Sequence, residues 1–142
     1  MNVSTRFTVA LHILTLLASS PGEALTSEYI AGSVNTNPVV VRRLLGTLRR
    51  AGIVSSQPGN GGGWELATKP GKLTLRDVRR AVNEGSPFSM HSQLPNPRCP
   101  VGKNIQQVLG PVYDRAERIM EDNLSHTTIL SLLRSVQRRS QG

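Results

Sequence analysis

Apolar residues recur at helical spacing along most of this chain, and only one short stretch near its middle reads as strands. From about Ser4 to Ser19, Phe7, Ala10, Leu11, Leu14, Leu17 and Ala18 fill one face of a helix, while Val9, Ile13 and Leu16 fill much of another. The polar stripe that remains is narrow: Thr8, His12, Thr15 and Ser19. A helix apolar on two sides is packed on two sides, so this one is expected to lie between two other parts of the fold. Pro21-Gly22 stops it. A brief second helix opens at Thr26, a capping residue flanked by Leu25 and Ile30 as a hydrophobic staple, and ends near Val34.

The third helix opens at Asn37-Pro38, a cap residue followed by proline at the first helical position, where the missing N–H costs nothing. Val41, Leu44, Leu45 and Leu48 must face the core. Half a turn away stand Val39, Arg43, Gly46 and Arg50, with Val40 and Thr47 on one flank and Arg42 and Arg49 on the other. Gly52 supplies the left-handed end. Ile53 to Gln57 and Gly63 to Ala67 then form a hairpin around a loop of proline and glycine with Asn60 at its tip.

Thr74-Leu-Arg-Asp77 is a capping box for a fourth helix from Leu75 to about Glu84, stopped by Gly85 and carrying Arg76, Arg79 and Arg80 outward. From Ser86 to Lys103, four prolines predict a loop that holds Cys99. A long stripe follows, in which Ile105, Val108, Leu109, Val112, Ala116, Ile119 and Met120 share a face, with Gly110-Pro111 expected to kink or interrupt it. A last helix is rich in Ile129, Leu130, Leu132, Leu133 and Val136. The whole reads as mainly α with a small β wing: a winged helix-turn-helix over 1–85, a loop over 86–103, and helices over 104–142 that want a partner. That partner is either the first helix of the same chain or a second copy, and a helix-mediated homodimer is the expectation.

Charge changes the picture from a fold to a function. The chain of 142 residues carries a net charge of +8, and no residue from Ile30 to Trp64 is acidic. Such a surface attracts a polyanion before any specific contact forms. Arginine outnumbers lysine 14 to 3, which favours nucleic acid over a membrane surface, because guanidinium forks match phosphates and guanine edges. The apolar run from Val9 to Ala18 is too short to span a bilayer and no targeting segment is discernible. A single cysteine permits no intrachain disulfide, and a reducing cytoplasm is expected. Double-stranded DNA is the expected partner, with Asn37, Val39, Val40, Arg42, Arg43, Thr47, Arg49 and Arg50 of the third helix, and Ser55, Gln57, Gly59, Asn60 and Gly61 of the wing, as contact residues. Arg42 and Arg43 can reach base edges or flanking phosphates, and Arg49 and Arg50 hold backbone. Dimer contacts are expected at Ile105, Val108, Leu109, Val112, Ala116 and Ile119.

The segments Tyr29-Ile-Ala31, Val41-Arg-Arg-Leu-Leu-Gly-Thr-Leu-Arg-Arg-Ala-Gly-Ile-Val54, Gly59-Asn-Gly-Gly-Gly-Trp-Glu-Leu-Ala67 and Leu73-Thr-Leu-Arg-Asp-Val78 resemble the Rrf-two family of bacterial transcription regulators. The resemblance implies a homodimeric winged-helix regulator whose interface combines the first helix with the long helix from Ile105 to Leu124, and for which repression is the commoner outcome. Its recognition-helix positions fall on Asn37, Val39, Val40, Arg42 and Arg43. Two departures stand out in the wing: Pro58 replaces a frequent arginine, and Trp64 stands where tyrosine is usual. A third concerns the cofactor. Family members that bind an iron-sulfur cluster use three cysteines in the loop before the dimer helix, and Cys99 stands alone here, so no cluster is expected.

Three readings of Cys99 remain open: an ordinary loop thiol, a redox switch helped by Arg98 and Lys103, and a lining residue of a pocket for a small effector. His12, His91 and His126 show no metal spacing, and no metal site is expected. No nucleophile and base stand together and acidic residues are few, so an enzyme is not expected either. The rival from another class is a winged helix used as a protein-assembly module. Against it, the third helix offers arginines where a protein interface would place aromatic anchors.

Overall fold

The computed structural model describes residues 5–142. Six helices and one hairpin follow in order: α1 (Arg6–Ala18), α2 (Ser27–Val34), α3 (Pro38–Arg50), β1 (Val54–Gln57), β2 (Gly63–Leu66), a single 3-10 turn (Pro70–Lys72), α4 (Leu75–Val82), α5 (Pro100–Leu124) and α6 (Ile129–Ser140). The expected start of the first helix at Ser4 lies outside the described residues. Contacts divide the chain into two compact units, one of residues 5–84 with 124–142 and one of residues 85–123. This differs from a division at 85 and 103, because α6 returns to the first unit rather than staying with α5.

The first unit is organised by α1. Its Ala10, Ile13, Leu14 and Leu17 are buried with Ile30 of α2, Val41, Leu44, Leu45 and Leu48 of α3, Val78 and Val82 of α4 and Ile129 of α6 in one core. Each of these Val, Leu and Ile side chains contributes about 1.5–3 kcal/mol by leaving water. The two apolar faces of α1 are both used: α2, α3, α4 and β2 pack against it, and so does α6. The polar stripe stays outside, where His12 Nε2 hydrogen-bonds with Ser33 Oγ of α2 at 2.9 Å.

Caps set the helix ends as the sequence predicts. Thr26 Oγ1 accepts from the Tyr29 N–H at 3.1 Å, and Asn37 Oδ1 from the Val39 N–H at 2.8 Å. Thr74 and Asp77 form the reciprocal box at α4. That helix ends earlier than expected: Asn83 is its left-handed cap, at φ 52°, two residues before Gly85, which is itself left-handed at φ 79°. Asparagine tolerates this region because its short amide can bond locally. Of the α4 arginines only Arg80 is exposed; Arg76 and Arg79 are half-buried. A second reciprocal box, Thr128 with Ser131, starts α6, and the two capped starts are tied together. Leu75 N–H donates to Thr127 O and Ile129 N–H to Leu73 O, both at 2.9 Å.

In the second unit, α5 begins at Pro100 and runs without interruption through Gly110-Pro111 to Leu124. Proline at 100 sits in the first turn, where it needs no hydrogen bond, so the expected loop ends before residue 103. Of the expected kink or interruption at Gly110-Pro111, the interruption does not occur: one lost backbone bond in a 25-residue helix leaves the turns on either side to carry it. The preceding loop lies on α5, with Phe88 stacked on Tyr113 at a centroid distance of 4.9 Å and Gln106 Nε2 3.4 Å from His91 Nδ1.

The wing is held by backbone. β1 and β2 pair antiparallel, Val54 opposite Leu66 and Gln57 opposite Gly63. Leu25 adds itself to the outer edge of β2: its N–H donates to Trp64 O at 3.0 Å and its O accepts from the Trp64 N–H at 2.8 Å. A side chain on Gly63 would place its Cβ 2.5 Å from Leu25 O, so only glycine lets these strands approach. Gly61, at φ 76°, has open space around it. Gly63→Ala should therefore cost about 2–3 kcal/mol of stability and Gly61→Ala about 1 kcal/mol, measured by urea denaturation. Equal losses would contradict the close approach at Leu25.

Candidate nucleic-acid interface

The outward face of α3 follows from its inward one. Val41, Leu44, Leu45 and Leu48 are all buried, so the opposite side must face solvent, and Val39 and Val40 there are 51% and 45% exposed. Arg42, Arg43, Arg49 and Arg50 are exposed with them. An exposed valine pair beside four arginines on a capped helix is costly in water and suited to a groove that offers phosphates and thymine methyls.

The arginines are not equivalent. Arg42 Nη2 donates to Glu28 Oε1 of α2 at 2.9 Å, an ion pair that joins the two helices of the helix-turn-helix. The Arg42 guanidinium first, and then Glu28's own backbone N–H at the start of α2, hold the Glu28 carboxyl below the usual carboxylate range. The pair is therefore ionised at neutral pH, and its interaction is lost only as the pH falls through that lowered value. Arg49 lies over the Trp64 ring, 5.7 Å from the centroid, with Nη1 3.5 Å from Ser56 Oγ, and so links α3 to the wing. Arg50 Nη2 donates to Thr47 Oγ1 at 3.3 Å, and Thr47 Oγ1 donates to Arg43 O at 3.3 Å. The Arg43 guanidinium alone of the four makes no hydrogen bond or ion pair among the described residues.

The expected site residues thus sort themselves. Val39, Val40, Arg42, Arg43, Arg49 and Arg50 share the exposed side of α3. Thr47 is half-buried and bonded within the helix, and the Asn37 amide oxygen is engaged as the cap. In the wing, Gln57, Gly59, Asn60 and Gly61 are exposed and Ser55 is half-buried opposite Glu65. Trp64 has two uses that an unusual residue at that position left open: its backbone pairs with Leu25 and its ring lies under Arg49. Glu28 and Tyr29, the latter 61% exposed, were not legible as part of this surface. Glu28 lies 14 residues from Arg42, so no local spacing announces the pair.

Cys99 is exposed at the start of α5, with its N–H donating to Asn96 O at 3.2 Å and its O accepting from Lys103 N–H at 2.8 Å. On α5, Val108, Val112 and Ile119 are exposed, while Ile105, Leu109 and Ala116 are half-buried. Leu109 lines a small cavity of about 270 Å³ with Met90, His91 and Tyr113, and so turns toward its own loop. Among the described residues no helix is long and apolar enough to cross a membrane, and no group of three or more His, Cys, Asp or Glu could hold a metal ion.

Known proteins resemble this chain over most of its length. Residues 3–135 match the Rrf2 family model, described as an iron-dependent transcriptional regulator. YwnA of Bacillus subtilis (strain 168), described as an HTH-type transcriptional regulator, is 41% identical over 131 residues, covering 92% of this chain and 96% of its own length. A crystal structure of a DNA-binding protein matches with a TM-score of 0.71 at 37% identity, over 90% of this chain and 98% of that one. The T. potens IscR structure has a TM-score of 0.72 at 21% identity, over 96% of this chain and 88% of its own, and shares the fold. The donors present do not fit an iron-sulfur cluster, which needs four ligands, usually thiolates: this chain has one thiol, the exposed Cys99, while His91 of the same loop lies 3.4 Å from Gln106 Nε2. With its capped recognition helix, its wing and its match over nearly the whole length, the chain belongs to the Rrf2 (Rrf-two) family of DNA-binding transcriptional regulators, a non-enzymatic family.

Proposed function

We propose that this chain is a homodimeric repressor, working in the cytoplasm without an iron-sulfur cluster, that places the front of α3 in the major groove of its operator. The observation that carries this reading is the unpartnered Arg43 guanidinium beside exposed Val39 and Val40, at the capped N-terminal half of α3. Arg43 can address a guanine edge bidentately, and the valines can meet a thymine methyl. Arg50, further along and braced by Thr47, is placed to hold phosphate, and so is the wing tip through Asn60 and the backbone N–H groups of Gly59 and Gly61. A protein-assembly role finds no comparable support, since among the described residues the only exposed aromatic near this face is Tyr29 of α2.

Dimerisation is supported by α5. Val101, Val108, Val112 and Ile119 are 67%, 60%, 43% and 67% exposed. At about 100° per residue they fall on one face, and they are spaced symmetrically about residue 110. A two-fold axis across the helix at that level brings Val101 against Ile119 of the partner subunit and Val108 against Val112 of the partner subunit. Charge favours this antiparallel arrangement. Residues 98–113 carry Arg98 and Lys103 and no acid, whereas residues 114–123 carry Asp114, Glu117, Glu121 and Asp122 against Arg115 and Arg118. Parallel pairing would set like against like. A second apolar surface fits the same partner: Leu11 and Leu16 of α1 with Leu132, Leu133 and Val136 of α6 line a groove of about 490 Å³.

Arg43→Ala is expected to cost about 1–3 kcal/mol of operator affinity and to relax the base preference at one position, read by competition binding against single-base operator variants. Uniform weakening on every sequence would remove Arg43 from base reading. Ile119→Glu should convert a species of twice the 15.4 kDa chain mass into one of single mass in sedimentation equilibrium, and lower operator affinity on the order of 100-fold by loss of the second reading head. A folded variant that stays dimeric would rule out the α5 face.

A further inference from the structure

The ion pair between Glu28 and Arg42 does more than connect two helices. Exposed pairs of this type add little to folding, because water screens them and two long side chains must be fixed. Both partners are largely exposed, the side chains at 50% for Arg42 and 67% for Glu28. Its placement is nonetheless costly for a DNA-binding surface. From Ile30 to Trp64 there is no carboxylate, and Glu28 reaches across from α2 to put one beside the face that approaches a polyanion. A carboxylate there weakens attraction to any DNA, whatever its sequence.

What the carboxylate gives in return is direction. Arg42 stands on the flank of the α3 face, one residue from Arg43, and a free guanidinium on a flexible stem would satisfy itself with the nearest phosphate. Glu28 engages one N–H of Nη2 and leaves four of the five guanidinium donors available in a fixed fork. Glu28 is itself anchored: it stands in the first turn of α2, whose N-terminal dipole favours a negative charge, next to the Thr26 cap. The brace therefore runs from a capped helix start through a carboxylate to an arginine on the recognition helix.

We infer that Glu28 is a specificity-determining positioning residue, which holds the Arg42 guanidinium for a guanine edge at the rim of the half-site and lowers the affinity for non-specific DNA. This rests on the placement of α3 in the major groove proposed above. Two consequences distinguish it from simple repulsion. Removing the carboxylate must raise binding to all DNA and, at the same time, erase discrimination at the base pair that Arg42 reads.

The test uses the full-length protein and the operator selected from a random DNA pool, with binding of wild type, Glu28→Gln, Arg42→Ala, the double variant and Arg43→Ala measured at one salt concentration on the operator, its single-base variants and a random duplex. Circular dichroism on Glu28→Gln, which conserves shape, checks that folding is retained. Glu28→Gln is expected to bind the random duplex several-fold more tightly and to lose about 10-fold of the preference for one G·C pair. Arg42→Ala should lose the same preference, and the double variant should lose no more than Arg42→Ala alone. Uniformly tighter binding by Glu28→Gln with every base preference intact overturns the inference, and so does additive loss in the double variant. If Arg43→Ala also leaves all base preferences intact, the placement of α3 fails and the inference falls with it. If Arg43→Ala shifts a preference while Arg42→Ala and Glu28→Gln do not, the inference fails alone.

Discussion

The burial of one stripe of α3 in the core shared by α1, α2 and α4 is the constraint on which the rest of this protein depends. Val41, Leu44, Leu45 and Leu48 leave water by entering the core that holds Ile13, Leu14, Ile30, Val78 and Val82, and once they do, the azimuth of α3 is set. A helix turned by one residue would move about 100° and bury an arginine, which is prohibitive without a partner. The proposed reading face is thus a by-product of core packing, and its orientation comes from the buried stripe behind it rather than from contacts among the exposed side chains. The Asn37 cap and Pro38 fix where the helix begins, so rotation and register are both determined before DNA arrives.

Within that face, partners divide labour among like residues. Arg49 is committed to Trp64 and the wing, Arg50 to Thr47, and Arg42 to Glu28, leaving Arg43 as the side chain with no intramolecular tie among the described residues. A set of four arginines would otherwise be interchangeable cations that hold any phosphate. Braces turn them into groups with directions, and direction is what separates specific from non-specific binding. The wing belongs to the same system: Trp64 pairs by backbone with Leu25 before α2 and supports Arg49 in the last turn of α3, so helix-turn-helix and hairpin share one residue at their junction.

Much of this was legible in the sequence. Helical periodicity, the Thr26 and Asn37 caps and the Thr74–Asp77 box predict α1 to α4 within a few residues, because these signals are local and each has a short-range cause. The inward and outward faces of α3 follow from spacing alone. What the sequence hid was non-local or over-read. Four prolines signalled a loop through residue 103, yet Pro100 occupies the first turn of α5, the position where proline fits. Gly110-Pro111 was expected to kink or interrupt a helix that runs on through it. α6 folds back on α1 because its start is bonded to the start of α4, a pairing of Thr128 with Thr74 that no periodicity reveals. The brace from Glu28 to Arg42 spans the turn between helices and has no sequence pattern at all.

On the reading proposed above, two copies of α3, each fixed by the core behind it, read DNA together. This is tested most directly by selecting bound fragments from genomic DNA with the purified full-length protein and deriving the enriched motif. Two reading heads related by two-fold symmetry predict an inverted repeat whose half-site centres lie about 10–10.5 base pairs apart, or a multiple of that. A single unrepeated motif, or no enriched motif at all, would contradict it.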